Sequence, residues 1–199
     1  ARAARATPAS PDPTRFASTT VLDLPELHGP WRSYPGVFAH GRLDEGTSLL
    51  LEALQQLGPR GRTLDFASGC GVLGAFLGIS NPDAEVVLSD DDLLAVSSSR
   101  ATLQANGVDA TIIASDGFSG IQGRFDLIVS NPPFHQGVDT RQRMGMTLLG
   151  PARNFLNPRG QLLVVVNRHL PYPAWIQEQF AHSHEFLSNR RFRVLRARR

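Results

Sequence analysis

The sequence predicts an α/β domain built on a doubly wound, mostly parallel sheet, and three features carry that expectation. Short apolar runs alternate with segments of helical period. Several of those runs are continuously apolar, as strands covered on both faces should be. The first run ends in small residues, Ala67-Ser68-Gly69-Cys70-Gly71, at a strand-to-helix turn. In chain order, a short strand over Thr19–Leu24 is followed by an irregular Gly/Pro/aromatic stretch from Trp31 to Gly41. A helix over Asp44–Leu57 places Leu49, Leu50, Ala53, Leu54 and Leu57 on one face, and Gly58-Pro59 closes it. Further strands are expected at Thr63–Ala67, Glu85–Ser89, Ala110–Ala114, Phe125–Ser130, Gln161–Val166 and in the Glu185–Ala197 region. Helices are expected at Val72–Leu77, Leu93–Ala105, Arg141–Phe155 and Ala174–Phe180, with Gly150-Pro151 kinking or splitting the third.

The chain has 199 residues, 41% hydrophobic and 19% charged, enough for a real core and too few for two ordinary domains. No apolar run approaches the roughly 18 residues of a membrane span, and the first residues lack the apolar stretch of a signal peptide. A cytoplasmic protein without a membrane partner is the expectation. Cys70 is the only cysteine and no Cys/His pairs stand at ligand spacing, which argues against disulfides and metal sites. The net charge is +2, and all 20 basic residues are arginine. Residues 1–15 have no hydrophobic period and read as a disordered linker.

The chemistry sits where the strands end. At Ala67–Gly71 a ligand can lie almost against backbone, which small residues permit. The next strand ends at Ser89-Asp90, 19 positions after Gly71, a distance at which a carboxylate commonly accepts hydrogen bonds from ribose hydroxyls. Gly69, Gly71 and Gly74 also match the G-x-G-x-x-G of pyrophosphate-binding dehydrogenases, so hydride transfer stays open at this point. Asp116-Gly117, after the third strand, offers a polar edge for an exocyclic amine of a base, and Phe118 or a neighbour a cover for its face. The fourth strand runs into Asn131-Pro132-Pro133-Phe134-His135. Its two prolines fix the backbone and donate nothing, leaving rigid carbonyl acceptors at a strand end. An exocyclic amine is a poor nucleophile because its lone pair is delocalised into the ring. Hydrogen bonds from its N–H groups to the Asn131 side-chain oxygen and the Pro132 carbonyl orient it toward an electrophile, Phe134 stacks on the ring, and a methyl sulfonium is the electrophile implied.

The order D-x-A-x-G-C-G, S-D, S-D-G-F, N-P-P-F resembles S-adenosylmethionine-dependent N-methyltransferases of the Rossmann-like class. More closely, Trp31 to Arg198 resembles the catalytic half of the RsmC-like small-subunit (16S) ribosomal RNA guanine-N2 methyltransferases. The matching segments include Tyr34-Pro35-Gly36-Val37-Phe38, Gly41-Arg42-Leu43-Asp44, Ser99 to Leu103, Ala105 to Val108, Ser130 to His135 and Leu170 to Pro173. The resemblance implies a seven-stranded sheet with an antiparallel last strand, S-adenosylmethionine as cofactor and small-subunit ribosomal RNA as partner. It implies that Phe38, Asp65, Ala67, Gly69, Gly71, Asp90, Asp91, Asp116, Gly117 and Asn131 bind the cofactor. Asn131, Pro132, Pro133 and Phe134 would carry the catalytic role, and Phe134, His135 and Arg141 would contact substrate. Residues 16–58 would form an N-terminal strand or hairpin and helix over the cofactor site, residues 59–199 the methyltransferase core, and a degenerate methyltransferase-like domain would precede this one. The loop departs from the family at Ala67, where glycine is usual. N-P-P-F is shared with protein-glutamine and DNA-adenine methyltransferases, so large-subunit guanine and protein glutamine remain as alternatives; Ala67 keeps an inactive RNA-docking module open, against which the intact N-P-P-F argues. Arg190, Arg191, Arg193, Arg196, Arg198 and Arg199 read either as phosphate contacts or as charged protection of a strand edge.

Overall fold

The computed structural model describes residues 18–21, 30–132 and 150–199. The elements run β1 (Ser18–Val21), β2 (Pro30–Ser33), α1 (Glu45–Leu57), β3 (Thr63–Phe66), α2 (Val72–Ser80), β4 (Val86–Asp90), α3 (Leu93–Ala105), β5 (Thr111–Ala114), β6 (Phe125–Ser130), β7 (Leu156–Asn167), α4 (Tyr172–Gln179), β8 (His182–Ser188) and β9 (Phe192–Arg198). β3 to β9 form one seven-stranded sheet in the order β5-β4-β3-β6-β7-β9-β8, and β9 alone runs antiparallel to its neighbours. β1 and β2 pair antiparallel as a separate hairpin. The chain lays β4 and β5 to one side of β3 and then crosses back to place β6 on the other. The switch point therefore lies at the carboxyl ends of β3 and β6, where open α/β sheets open a ligand crevice.

The strands are apolar on both faces because both are covered. Leu163 and Val165 of β7 join Leu127, Val129 and Val194 in a core beneath α1, α2 and α3. Leu162, Val164 and Val166 join Leu64, Phe125 and Leu195 in a second core beneath α4. Asp44 caps α1 by accepting from the Gly46 and Thr47 N–H groups, and Gly58 ends it in the left-handed conformation.

Several boundaries differ from expectation: the stretch expected to be irregular from Trp31 opens in β2, α2 runs on to Ser80, and α4 starts at Tyr172, and three larger differences have local causes. The Glu185–Ala197 run is two strands, because the Asn189 side chain accepts from the Arg191 and Phe192 N–H groups and turns the chain back. β7 begins at Leu156, earlier than expected, and the register slips between its pairings with Phe125 and Leu127. That bulge puts Arg159 at φ +68°, so the turn-like Pro158-Arg159-Gly160 conceals a strand. Of the expected 141–155 helix, residues 141–149 lie outside the described residues. The rest is helical at 150–152 and tightens to a 3₁₀ turn over Arg153–Phe155.

Candidate active site

The parallel register sets the carboxyl ends of the strands side by side. Phe66 pairs with Ser89 on one flank and Ser130 on the other, so Ala67, Asp90 and Asn131 emerge as neighbours. Phe38, Ala67, Gly69, Asp90 and Asn131 line one small cavity of about 110 Å³, together with Asp44, Thr47 and Ser68. Asp65 is fully buried below the loop. Gly71 caps α2 behind it and has no room for a side chain: a Cβ there would come within 2.9 Å of the Ser99 Cα. Asp91 and Asp116 are exposed, and neither they nor Gly117 line this cavity. Phe118 is core, stacked at 4.6 Å on both Phe66 and Phe155, and so cannot cover a ligand ring. Pro132 is buried at the end of β6, whereas Pro133, Phe134, His135 and Arg141 lie outside the described residues.

The loop is rigid through its own bonds. The Gly69 N–H donates to Asp90 Oδ2 at 2.8 Å, the Asp92 N–H donates to Asp90 Oδ1 at 3.0 Å, and the Ser99 hydroxyl donates to the Gly69 carbonyl at 3.0 Å. Burial raises the Asp90 carboxyl, and these N–H donors oppose the shift. At Gly69, φ is +54°, a conformation that favours glycine, and the space beside it is open. Asp65 Oδ2 accepts from the Gly74 N–H at 2.9 Å, but its buried Oδ1 has no partner among the described residues. Desolvation pushes this carboxyl up to about 7, and the nearby Asp90 charge adds to the rise. A buried acceptor without a donor, beneath a loop that leaves open space, fits a cationic or N–H-bearing ligand group. Burial likewise pushes the Cys70 thiol up to about 11, which makes it an inert filler of the loop.

Ala67 holds φ +58°. An L-residue with a Cβ is strained by roughly 1–2 kcal/mol in that region. Ala67→Gly relieves the strain but adds unfolded-chain entropy worth about 0.5–1 kcal/mol. The expected net gain is up to about 1 kcal/mol, or about 2–4 °C in Tm for a chain of this size, measured by calorimetric melting. A drop in Tm would contradict the strained backbone.

Asn131 is held from across the fold. Its Nδ2 donates to Asp44 Oδ2 at 3.0 Å and to Thr47 Oγ1 at 2.9 Å, both at the start of α1. No local pattern marks Thr47, which stands 84 residues away in the chain, as part of this site. The segment above the cavity is strapped to α3: the Arg32 N–H donates to Thr102 Oγ1 and the Tyr34 N–H to Ser98 Oγ. Ser33 Oγ pairs with His40 Nδ1 at 2.9 Å and accepts from the Gly41 N–H, fixing the turn that carries Phe38. These bonds give a physical reason for the side chains at Ser98, Thr102 and Asn106, which otherwise read as an ordinary helix face.

The model of the methyltransferase small domain matches residues 30–196. The chain belongs to the methyltransferase small domain family. This membership takes the glycine loop out of the dehydrogenase reading. Among curated proteins, the chain is 47% identical over 163 residues to "Ribosomal RNA small subunit methyltransferase C" of Hahella chejuensis, covering 82% of this chain and 47% of that protein. It is 45% identical over 192 residues to the protein of that name from Pseudomonas aeruginosa, covering 96% and 58% respectively. The chain thus spans about half the length of the curated relatives it matches. Among solved structures, the 16S rRNA N2 G1207 methyltransferase (RsmC) of T. thermophilus, in complex with AdoMet and guanosine, superposes with a TM-score of 0.83 at 32% identity. That match covers 92% of this chain and 51% of that one. A methyltransferase from Pyrococcus furiosus, 18% identical at a TM-score of 0.66, shares the fold.

Proposed function

We propose that this small-domain methyltransferase uses S-adenosylmethionine to methylate the exocyclic N2 amine of a guanine in small-subunit (16S) ribosomal RNA. The observation that carries the reading is Asn131: it lines the cavity walled by the glycine loop and Asp90, and its Nδ2 is taken up by Asp44 and Thr47, which leaves Oδ1 as the acceptor end. When bound, S-adenosylmethionine supplies a methyl carried on a sulfonium. Asp65 Oδ1 would meet the ammonium of its amino-acid part, the Gly69 backbone leaves the room beside it, and Asp90 retains lone pairs for ribose hydroxyls. Asn131 Oδ1 and the Pro132 carbonyl accept from the two N–H groups of the amine and turn its lone pair outward. No strong base is needed, because the nitrogen becomes acidic only once alkylated. Asp91, Asp116 and Gly117 belong to the same carboxyl edge and would bound the adenine end; Phe134, His135 and Arg141 would complete the substrate side. The hairpin and α1, within 16–58, form the cover, and residues 59–199 the core. Location in the cytoplasm accords with an RNA substrate, and among the described residues no helix is long and apolar enough to cross a membrane.

The relatives support the nucleotide substrate, since one is a complex with guanosine and the curated ones are named for the small subunit. Calorimetric titration with S-adenosylmethionine, with NADH as control, tests the cofactor: micromolar binding of the first and none of the second is expected, and the reverse would overturn the reading.

A second cavity, about 510 Å³, shares Phe38, Arg42, Leu43 and Asp44 with the first and continues to His169, Arg191 and Phe192. β9 is an interior strand, so edge protection does not explain its arginines. Arg193 pairs with Glu185, and Arg196 bonds Gln161 and lies over Phe186. Arg190 and Arg191 sit in the β8–β9 turn at the carboxyl edge, where an RNA strand would pass; Arg191 lines this cavity and its guanidinium, 72% exposed, holds Glu45 at 3.1 Å and lies over Phe192. Substituting both by serine is expected to flatten the salt dependence of RNA binding by about 0.7 in log–log slope for each phosphate no longer neutralised. An unchanged slope would show that the strand runs elsewhere.

A further inference from the structure

We infer that Asp44 and Thr47 are positioning residues that fix which end of the Asn131 carboxamide meets the substrate amine. The inference rests on the function proposed above and adds to it residues on a different element, 87 and 84 positions away in the chain. A carboxamide is almost symmetric in shape, so packing alone does not decide whether its oxygen or its nitrogen faces a ligand. Chemistry decides it here. A carboxylate only accepts, so the atom 3.0 Å from Asp44 Oδ2 must be Nδ2. The Thr47 hydroxyl, 2.9 Å away, takes the second hydrogen of the same nitrogen. With both hydrogens held by α1, the planar group points Oδ1 to the opposite side, as an acceptor.

The lock is itself anchored. Asp44 Oδ2 also accepts from the Gly46 N–H at 2.8 Å and the Thr47 N–H at 3.1 Å, so the helix cap and the asparagine share one oxygen. Gly46 has no side chain where one would crowd this oxygen: a Cβ would stand 2.9 Å from Asp44 Oδ2. A released Asn131 is free to turn over and present its NH₂ to the N–H groups of the amine, donor against donor. The same lock selects substrates, favouring one that brings N–H groups and disfavouring one that brings a lone pair at that position.

The test separates keying from capping and from cofactor contact. Asp44→Ser keeps a good N-cap but falls short of Asn131, Thr47→Val removes the acceptor at equal size, and Asp44→Asn retains an oxygen for both jobs. In the ligand-free protein, the Asn131 side-chain amide resonance, assigned by its loss in Asn131→Ala, is expected to exchange slowly with solvent. In Asp44→Ser/Thr47→Val it should move to the position and rate of an exposed amide, with Tm nearly unchanged, while Asp44→Asn keeps the parent's signal. In methyl transfer to guanosine-containing RNA, the double variant should lose about 10- to 100-fold in kcat. Because Asp44 and Thr47 also line the cavity, S-adenosylmethionine Kd is read beside kcat: the kcat loss should exceed any change in Kd, and it should vanish in the Asn131→Ala background. An amide resonance indifferent to both substitutions overturns the inference, as does a kcat loss that persists without Asn131 or that appears in Kd instead. A parent protein that transfers no methyl while its amide responds as described refutes the proposed reaction and leaves the lock in place.

Discussion

Cofactor affinity should fall steeply as the pH drops below about 7. Asp65 is buried with one oxygen unpartnered among the described residues, and desolvation pushes its carboxyl up to about 7. A carboxylate must be ionised to pair with the ammonium of S-adenosylmethionine. Below its pKa each pH unit therefore weakens binding by up to about tenfold, because a proton has to leave first. Titration at pH 5.5 and 8 should give at least about a tenfold difference in Kd, with proton release detected as a buffer-dependent enthalpy. Asp65→Asn should bind weakly at both and show no such slope. The stability sign runs with the same group: its folded pKa lies above its unfolded one. Its contribution is therefore full below the ordinary carboxylate range and lost as the pH rises through about 7. The parent's Tm should decline over that interval more than that of Asp65→Asn. Parallel pH profiles for the two proteins would remove Asp65 from both roles.

Asn131→Ala should leave the fold and the cofactor site nearly intact and lower methyl transfer by about 100- to 1000-fold, the scale seen when one preorganised hydrogen-bonding partner is removed from a reacting group. The side chain is half-buried and its bonds run to α1, so Tm is expected to fall by a few degrees at most. The loss should appear in kcat, with S-adenosylmethionine Kd shifted only a few-fold. An alanine variant with parent-like turnover would mean that the Pro132 carbonyl alone orients the amine.

The sequence carried the sheet well because every central strand is covered on both faces. Phe125–Ser130 and Leu93–Ala105 have the bounds that their apolar pattern indicates. Where polar residues interrupt a strand for a local reason, the pattern misleads: the Asn189 turn divides one apolar run into β8 and β9, and the Arg159 bulge hides the start of β7. The site was legible where it lies at strand ends in one register, at Ala67, Asp90 and Asn131. It was illegible where it depends on contacts between distant segments. Phe118, one of the candidates for a ring cover, is core, since its stacking on Phe66 and Phe155 is tertiary. Asp44 and Asn131 each lie in a segment that resembles the family, but nothing joins them to each other or to Thr47, because an N-cap aspartate and a threonine in a first turn are common for helical reasons alone.

The most direct test of the central claim is methyl transfer from tritiated S-adenosylmethionine to small subunits whose RNA lacks the modification, followed by nucleoside analysis of the digested RNA. The expected product is N2-methylguanosine in 16S RNA, absent with Asn131→Ala. Label on another nucleoside or on protein glutamine, or cofactor binding without any transfer, would contradict it.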